Sequence, residues 1–209
     1  MNCLNLDAFR QARLQTDPYE FAIVPQFINP TAMPRILADY PRIEQAGSFP
    51  LESLEFGSHF AALCDELRGN AMRELFAEKF GMDLADRPTT LTVRGHCRQK
   101  DGKIHVDSRT KLITVLIYLN GPWEADGGRL RLLRSRDMQD VLAEAPPEQG
   151  TLVCFRNRAN AWHGHLPYAG VRRVLQLNWV TDQSAVLTSS RRHRISAFLK
   201  RWLPLRRAA

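Results

Sequence analysis

The chain has 209 residues, of which 44% are hydrophobic and 24% are charged. This length and composition fit one soluble globular domain with a sizeable hydrophobic core. Basic residues outnumber acidic residues by 29 to 22, but the whole excess lies within residues 190–209, which contain no Asp or Glu. The rest of the chain is therefore balanced in charge, which argues against a general binder of polyanions.

Cysteine spacing and the first residues bear on the cellular location. The 4 cysteines are spread along the chain without a C-x-x-C pair, which argues against a disulfide framework and against a structural zinc knuckle. Residues 1–16 mix charged with apolar side chains and lack the continuous apolar run of a signal peptide. No stretch of the sequence is long enough to cross a membrane. We therefore expect a cytoplasmic protein.

The first part of the chain, residues 1–88, has the pattern of helices that pack one face on a sheet. Phe60, Leu63 and Leu67 recur at spacings of three and four residues, and the apolar residues from Met72 to Phe80 do the same. The predicted elements are a helix over Leu6–Leu14, a strand over Phe21–Val24, a short helix between Pro30 and Tyr40, and helices over Ser58–Leu67 and Ala71–Phe80.

From Thr89 onward the pattern changes to short strands separated by turn residues. The predicted strands cover residues 89–95, 102–106, 111–120, 128–134, 151–156 and 171–180. Many short strands without long helices between them indicate an antiparallel barrel or a jelly roll. The sequence therefore predicts a mainly β protein of the α+β class, with a helical N-terminal part that supports the strands.

His105 and Asp107 lie two positions apart on a predicted strand. Side chains two apart on a strand point to the same face, so this pair can reach one ion. Two histidines and one carboxylate on three corners of an octahedron, with the other positions open, are typical of non-haem Fe(II) oxygenases. His163 is the best third ligand, and His165, which has the same parity, is the alternative.

Several segments together resemble a known enzyme family. These segments are His105-Val106-Asp107, Ile117-Tyr118-Leu119-Asn120, Gly127 to Leu132, Gly150 to Phe155, His163 with Pro167, and Arg172-Arg173. In this order they resemble the 2-oxoglutarate and Fe(II)-dependent oxygenases of the prolyl-4-hydroxylase-like branch. The resemblance spans residues 89–180 and is more specific than a single motif. It implies a double-stranded β-helix, a cupin-like barrel, over residues 89–182 of a single domain at residues 1–190.

The resemblance also implies an activity. The protein would be a dioxygenase that hydroxylates a C–H bond of its substrate and decarboxylates 2-oxoglutarate to succinate and CO2. Its catalytic, metal-binding residues would be His105, Asp107 and His163. The implied cofactors are Fe(II), the cosubstrate 2-oxoglutarate and O2, with ascorbate as a candidate reductant.

The far carboxylate of 2-oxoglutarate requires a fixed cation, and a guanidinium offers two parallel donors to a carboxylate. Arg172 stands nine positions after His163, which matches the gap found in the family. Arg173 is the alternative, because neighbours on a strand face opposite ways and one of the two points inward. By the same resemblance Tyr118 binds this carboxylate, and the period of two puts Thr114 on the same wall.

Basic residues near His105 bear on the substrate. Arg94, Arg98, Lys100 and Lys103 lie on or near the segment that leads into His105, and Arg129 and Arg131 alternate on another strand. A cluster of cations at the mouth of the barrel would suit an acidic substrate. The alternative is that these charges only protect solvent-exposed strand edges.

Substrates considered for a hydroxylase are a small molecule, a glycan or lipid intermediate, and a protein side chain. Three other functions stay open on the sequence. They are a nucleic-acid demethylase of the same superfamily, a zinc hydrolase that uses the same three ligands, and a binding module that retains the barrel.

Residues 191–209 form a basic tail with helical periodicity. Ile195, Phe198, Leu199, Trp202 and Leu203 make one apolar stripe that basic residues surround. Such a helix predicts either peripheral contact with the anionic inner surface of a membrane or docking of the stripe on the protein's own domain. Nucleic acid is a weaker alternative, because the tail contains no nucleic-acid motif and the body carries no net charge.

Overall fold

The computed structural model of the protein describes residues 2–148 and 150–188. Its elements in chain order are α1 (Leu6–Gln11), β1 (Phe21–Val24), α2 (Met33–Ala38), β2 (Phe49–Pro50), a 3-10 turn (Leu51–Ser53), α3 (Ser58–Arg68), α4 (Asn70–Phe80), β3 (Thr89–Cys97), β4 (Lys111–Tyr118), β5 (Leu130–Leu133), β6 (Val141–Ala145), β7 (Leu152–Arg156), β8 (Trp162–Gly164) and β9 (Gly170–Val180). The predicted mainly β architecture, with helices before the strands, is confirmed.

The strands form two antiparallel sheets. The larger sheet has six strands in the order β1-β7-β4-β9-β3-β2, and the smaller sheet has three strands in the order β6-β5-β8. One buried apolar cluster contains Tyr118, Phe155 and Val174 of the larger sheet together with Leu130 and Leu132 of the smaller sheet. The inner faces of the two sheets therefore pack against each other.

Strand β4 separates the helical layer from the space between the sheets. Ile113, Val115 and Ile117 are fully buried in the apolar cluster that includes the inner faces of α3 and α4. Burial of each such side chain contributes about 1.5–3 kcal/mol relative to leaving it exposed. Because side chains alternate along a strand, Thr114 and Tyr118 then point to the inner face.

Helices α3 and α4 begin and end close to the predicted residues. Gly81 terminates α4 with φ 57, a left-handed conformation that glycine adopts without steric cost. At the other end of the pair, the N-cap of α3 is Gly57, which has no side chain to accept a hydrogen bond. Asp39 fills this role, since its carboxylate accepts a hydrogen bond from the backbone N–H of His59 at 2.7 Å.

The predicted strand at residues 102–106 is wrong. This segment is a loop in which Gly102 has φ 86. The backbone of the loop pairs with β8 through an isolated antiparallel bridge between His105 and His163. The two residues exchange both backbone hydrogen bonds at 3.0 Å. The bridge, and not a regular strand, therefore positions His105. Strands β2, β6 and β8 were not predicted, because they are short or lack the alternation of apolar and polar residues.

The basic tail at residues 191–209, which includes His193, lies outside the described residues. Its membrane and docking interpretations stay predictions. Among residues 2–148 and 150–188, no helix combines the length and the apolar character that crossing a membrane requires.

Candidate metal centre

His105, Asp107 and His163 come together at one end of the space between the sheets. One ligand-type atom from each of the three side chains lies within 4.8 Å of the other two. The smaller sheet supplies His163 from β8, and the bridge between His105 and His163 brings in the loop that carries His105 and Asp107. His163 is buried, Asp107 is intermediate and His105 is exposed, so the group is open on the side of His105.

Backbone carbonyls orient both imidazoles for metal binding. Nδ1 of His105 lies 2.9 Å from the carbonyl oxygen of Lys103, and Nδ1 of His163 lies 3.0 Å from that of Ala161. A carbonyl oxygen only accepts, so Nδ1 carries the proton in each neutral ring. The lone pair of each ring is then on Nε2, which is the state that a divalent metal requires. The donor set therefore fits a metal ion.

Two neighbours on β4 fix the carboxylate of Asp107. Lys111 donates to Oδ1 at 2.7 Å, and the hydroxyl of Thr114 donates to Oδ2 at 2.5 Å. Burial is the largest single effect on Asp107 and opposes its ionisation, but the charges of Lys111 and His163 and the hydrogen bonds from Lys111 and Thr114 together outweigh it and lower the pKa of Asp107 to about 2. Asp107 is therefore ionised at neutral pH and supplies the anionic ligand.

Burial also acts on His163. It lowers the pKa of His163 to about 4, although the carboxylate of Asp107 opposes this change. His163 is therefore neutral at pH 7, and a metal ion does not have to displace a proton from it.

The contact between Thr114 and Asp107 predicts a role for a residue outside the three-residue cluster. We expect Thr114→Val to weaken binding of Mn(II), used in place of Fe(II), by about tenfold, because loss of a partner that orients a ligand costs about 10–100-fold in metal affinity. Isothermal titration calorimetry measures this change. Thr92→Val removes a hydroxyl elsewhere on the same sheet face and serves as the control; an equal loss in both variants would contradict the role of Thr114.

Arg172 and Tyr118 lie beside the cluster on the inner face. Arg172 is buried, its Nε donates to the carbonyl of Gly128 at 2.8 Å, and its Nη2 lies 3.4 Å from the hydroxyl of Tyr118. Burial raises the pKa of Tyr118, so its hydroxyl keeps its proton. The neighbouring Arg173 points to the other side of β9, where its guanidinium lies 5.6 Å from the ring of Tyr40.

His165, the alternative metal ligand, faces a different set of residues. Its Nδ1 lies 2.8 Å from the carbonyl oxygen of Leu166, and its Nε2 lies 3.7 Å from Sγ of Cys97. The cluster of ligand-type atoms contains His163 and not His165. His59 and His96 bond to Asp39 and to the backbone of Ile43, respectively.

Sequence reasoning missed two features of the site. Lys111 bonds to Asp107 from a position four residues later, and the hydroxyl of Thr114, a residue predicted to line the cosubstrate wall, donates to Asp107. The alternation of side chains on β4 indicated that Thr114 faces inward, which is consistent with its contact with Asp107. The sequence did not show that the loop carrying Asp107 packs against β4 at this position.

A cleft of about 420 Å³ opens next to the cluster. His105, Asp107 and Lys111 line one side of it, and Ala185 and Thr188 line another. Because the exposed edge of the cluster faces this cleft, a ligand can reach the metal position from solvent.

Two antiparallel sheets therefore carry a buried His, an exposed His and an Asp whose potential ligand atoms converge, and this donor set fits one metal ion. Residues 93–181 match the profile of the 2OG-Fe(II) oxygenase superfamily. This part of the chain, less than half of its length, is therefore similar to that superfamily.

Solved structures with a similar fold include prolyl hydroxylases. A prolyl-4-hydroxylase from Pseudomonas putida is 17% identical, with a TM-score of 0.58 over 84% of this chain and 90% of that chain. A viral collagen prolyl hydroxylase from Paramecium Bursaria Chlorella virus-1, in a 2OG complex, is 16% identical, with a TM-score of 0.53 over 78% of this chain and 97% of that chain. No curated protein sequence matches the chain significantly. At these identities the likeness supports the fold.

Proposed function

We propose that the protein is a non-haem Fe(II)- and 2-oxoglutarate-dependent dioxygenase that hydroxylates a C–H bond of its substrate. The observation that carries the proposal is the convergence of His105, Asp107 and His163, with both imidazoles oriented to present Nε2. The two sheets would be the walls of a double-stranded β-helix. Bound iron, 2-oxoglutarate and O2 would supply the oxidising chemistry, with succinate and CO2 as coproducts.

The chain's own residues would hold and orient these groups. His105, Asp107 and His163 would occupy one face of an octahedron and leave about three positions for the cosubstrate and O2. The guanidinium of Arg172 and the hydroxyl of Tyr118 would donate to the far carboxylate of 2-oxoglutarate. Lys111 and Thr114 would keep the carboxylate of Asp107 in place during binding.

Arg172 is well suited to an anionic ligand. Its Nε is occupied by the carbonyl of Gly128, which fixes the plane of the guanidinium. Burial and hydrogen bonding together restrict the side chain before the ligand arrives, so binding costs less conformational entropy. Arg173 faces away from this space and is not proposed as a cosubstrate ligand.

The proposal predicts two signals from the purified protein. Under anaerobic conditions, Fe(II) and 2-oxoglutarate together should produce a weak visible charge-transfer band, and admission of air should give slow formation of succinate without an added substrate. Absorbance spectroscopy and quantification of succinate measure these results, with omission of Fe(II) as the control. A zinc hydrolase or a binding module would give neither signal, and stimulation of succinate release by methylated oligonucleotides would favour a demethylase.

A further inference from the structure

Arg94 lies on the same inner face as the metal cluster. Asn178 of β9 donates to the hydroxyl of Thr90 on β3 at 3.1 Å, so Thr90 faces the inner space, and the period of two gives Arg94, also on β3, the same direction. The intervening Val93 packs in the outer core with the helices. The neighbouring Gly95 also lies against the outer layer, since a Cβ at this position would meet Ile43.

Arg94 and Arg172 form a pair of cations in the space between the sheets. Burial lowers the pKa of Arg94, and the positive charge of Arg172 lowers it further. In residues 2–148 and 150–188, the guanidinium of Arg94 forms neither a hydrogen bond nor an ion pair. Arg94 is intermediate in exposure, so protein encloses part of its side chain and water reaches the rest. Partial burial of a cation is unfavourable, and an anion that binds beside it offsets this cost.

The residues around Arg94 do not supply this anion. The charge of Asp101 raises the pKa of Arg94, but the Asp101 carboxylate accepts from the backbone N–H and the guanidinium of Arg98 and forms no hydrogen bond with Arg94 among the described residues. Burial raises the pKa of Tyr118 and of Cys97, so both are neutral at pH 7. Burial also lowers the pKa of His165 to about 4, so His165 is neutral as well.

The other basic residues near the site differ from Arg94. Arg131 pairs with Glu144 at 2.6 Å, and Arg129 donates to the backbone carbonyls of Ala125 and Trp123. Lys100 and Lys103 are exposed to solvent. Of the cations that the sequence suggested for an acidic substrate, Arg94 is the one that faces the inner space without a protein partner among the described residues.

The charges of the site with Fe(II) and 2-oxoglutarate bound explain why an anion beside Arg94 would belong to the substrate. Ferrous iron would bring two positive charges, which Asp107 and one carboxylate of 2-oxoglutarate would balance. Arg172 would balance the second carboxylate of 2-oxoglutarate. Lys111 adds a positive charge, but it lines the open cleft, where water screens it. Arg94 therefore stays unbalanced after the cosubstrate has bound.

We propose that Arg94 binds an anionic group of the substrate, a carboxylate or a phosphate, and so selects acidic substrates. This inference rests on the proposed function, because it assigns the second carboxylate of 2-oxoglutarate to Arg172. A guanidinium donates two parallel hydrogen bonds to either anion, which fixes the orientation of the group as well as its position. The anion would anchor the substrate on the inner face that also carries Arg172.

The test uses wild-type protein with Fe(II) and saturating 2-oxoglutarate under anaerobic conditions, and titrates inorganic phosphate and acetate separately by calorimetry. We expect one of the anions to bind and Arg94→Gln to weaken this binding by at least about tenfold, as loss of charge-assisted hydrogen bonds predicts. Arg94→Lys, which keeps the charge, should weaken it less. The charge-transfer band of bound 2-oxoglutarate should persist, which shows that the anion does not displace the cosubstrate.

Controls separate this inference from the proposed function. Arg35→Gln removes an exposed guanidinium remote from the site and should leave anion binding unchanged. Equal anion binding by wild type and Arg94→Gln, or no binding of either anion to wild type, would overturn the inference. Weaker binding of 2-oxoglutarate by Arg94→Gln, with anion binding intact, would also overturn it and make Arg94 a cosubstrate ligand. If wild type does not bind 2-oxoglutarate, the proposed function fails, and titration of phosphate onto the metal-free variants then decides the role of Arg94 independently.

Discussion

Asp107→Ala should abolish stable Fe(II) binding and 2-oxoglutarate turnover while the protein stays folded. Asp107 is the anionic member of the cluster, and its two oxygens are held by Lys111 and Thr114. Loss of a residue that merely orients a ligand costs about 10–100-fold in metal affinity, so loss of the ligand itself should cost at least about a hundredfold. Calorimetric titration of Mn(II) and measurement of succinate formation check the two effects.

The fold should survive this substitution because the partners of Asp107 have alternatives. The side chain of Lys111 is 22% exposed and can reach water, and the hydroxyl of Thr114 lies 3.1 Å from Oδ1 of Asn178. We expect a loss of no more than about 1–3 kcal/mol in the free energy of unfolding, the cost of unsatisfied polar groups. Asp86→Ala, at an exposed position, is the matched control. Unchanged Mn(II) affinity in Asp107→Ala would remove the metal site and the proposed function with it.

Apart from the two-residue β2, the strands of the larger sheet were predictable because they have strong local signals. Ile113, Val115 and Ile117 alternate with inward-facing residues on β4. The many apolar and β-branched residues in β9 are typical of a strand. The ends of α4 were equally readable, since Gly69 and Gly81 flank a segment with helical spacing. These features depend on residues that lie close together in the chain, and the spacing of apolar residues indicates such local structure well.

The approach of the loop at His105 to β8 was less predictable. An isolated bridge between His105 and His163 joins residues 58 positions apart, and neither segment has enough alternating residues to reveal the pairing. The sequence nevertheless indicated the three members of the cluster, because residue type and family resemblance pointed to them without any knowledge of the pairing. The parity rule that assigned His105 and Asp107 to one face was applied to a strand that does not exist there.

The surroundings of the cluster show a similar limit. Lys111 and Thr114 were visible as residues of β4, but their contacts with Asp107 depend on how the preceding loop folds back. The sequence left open whether Arg94 belongs to a cluster of cations at the mouth of the barrel or protects a strand edge, and the face of β3 that carries it follows from the hydrogen bond between Asn178 and Thr90. Composition identifies a charge, and only the packing around it decides whether water or a ligand must balance it.

Arg172→Leu should raise the KM for 2-oxoglutarate by about a hundredfold, with a smaller effect on kcat at saturating cosubstrate. The guanidinium would form two charge-assisted hydrogen bonds with the far carboxylate, each worth about 1.5–3 kcal/mol, and every 1.4 kcal/mol changes an affinity tenfold. Because this carboxylate is bound in the ground state and in the transition state alike, its loss affects KM more than kcat. Succinate formation at varied 2-oxoglutarate concentrations separates the two constants.

Arg173→Leu is the matched control, since it removes the same charge from the adjacent position on β9 but from the opposite face. The guanidinium of Arg173 lies over the ring of Tyr40, so we expect the KM for 2-oxoglutarate to stay within about twofold of wild type. Arg172→Lys should fall between wild type and Arg172→Leu, because an ammonium keeps the charge but cannot form the bidentate contact. A large increase in KM for Arg173→Leu with none for Arg172→Leu would show that the outward-facing arginine binds the cosubstrate, and that the inner face of β9 serves another ligand.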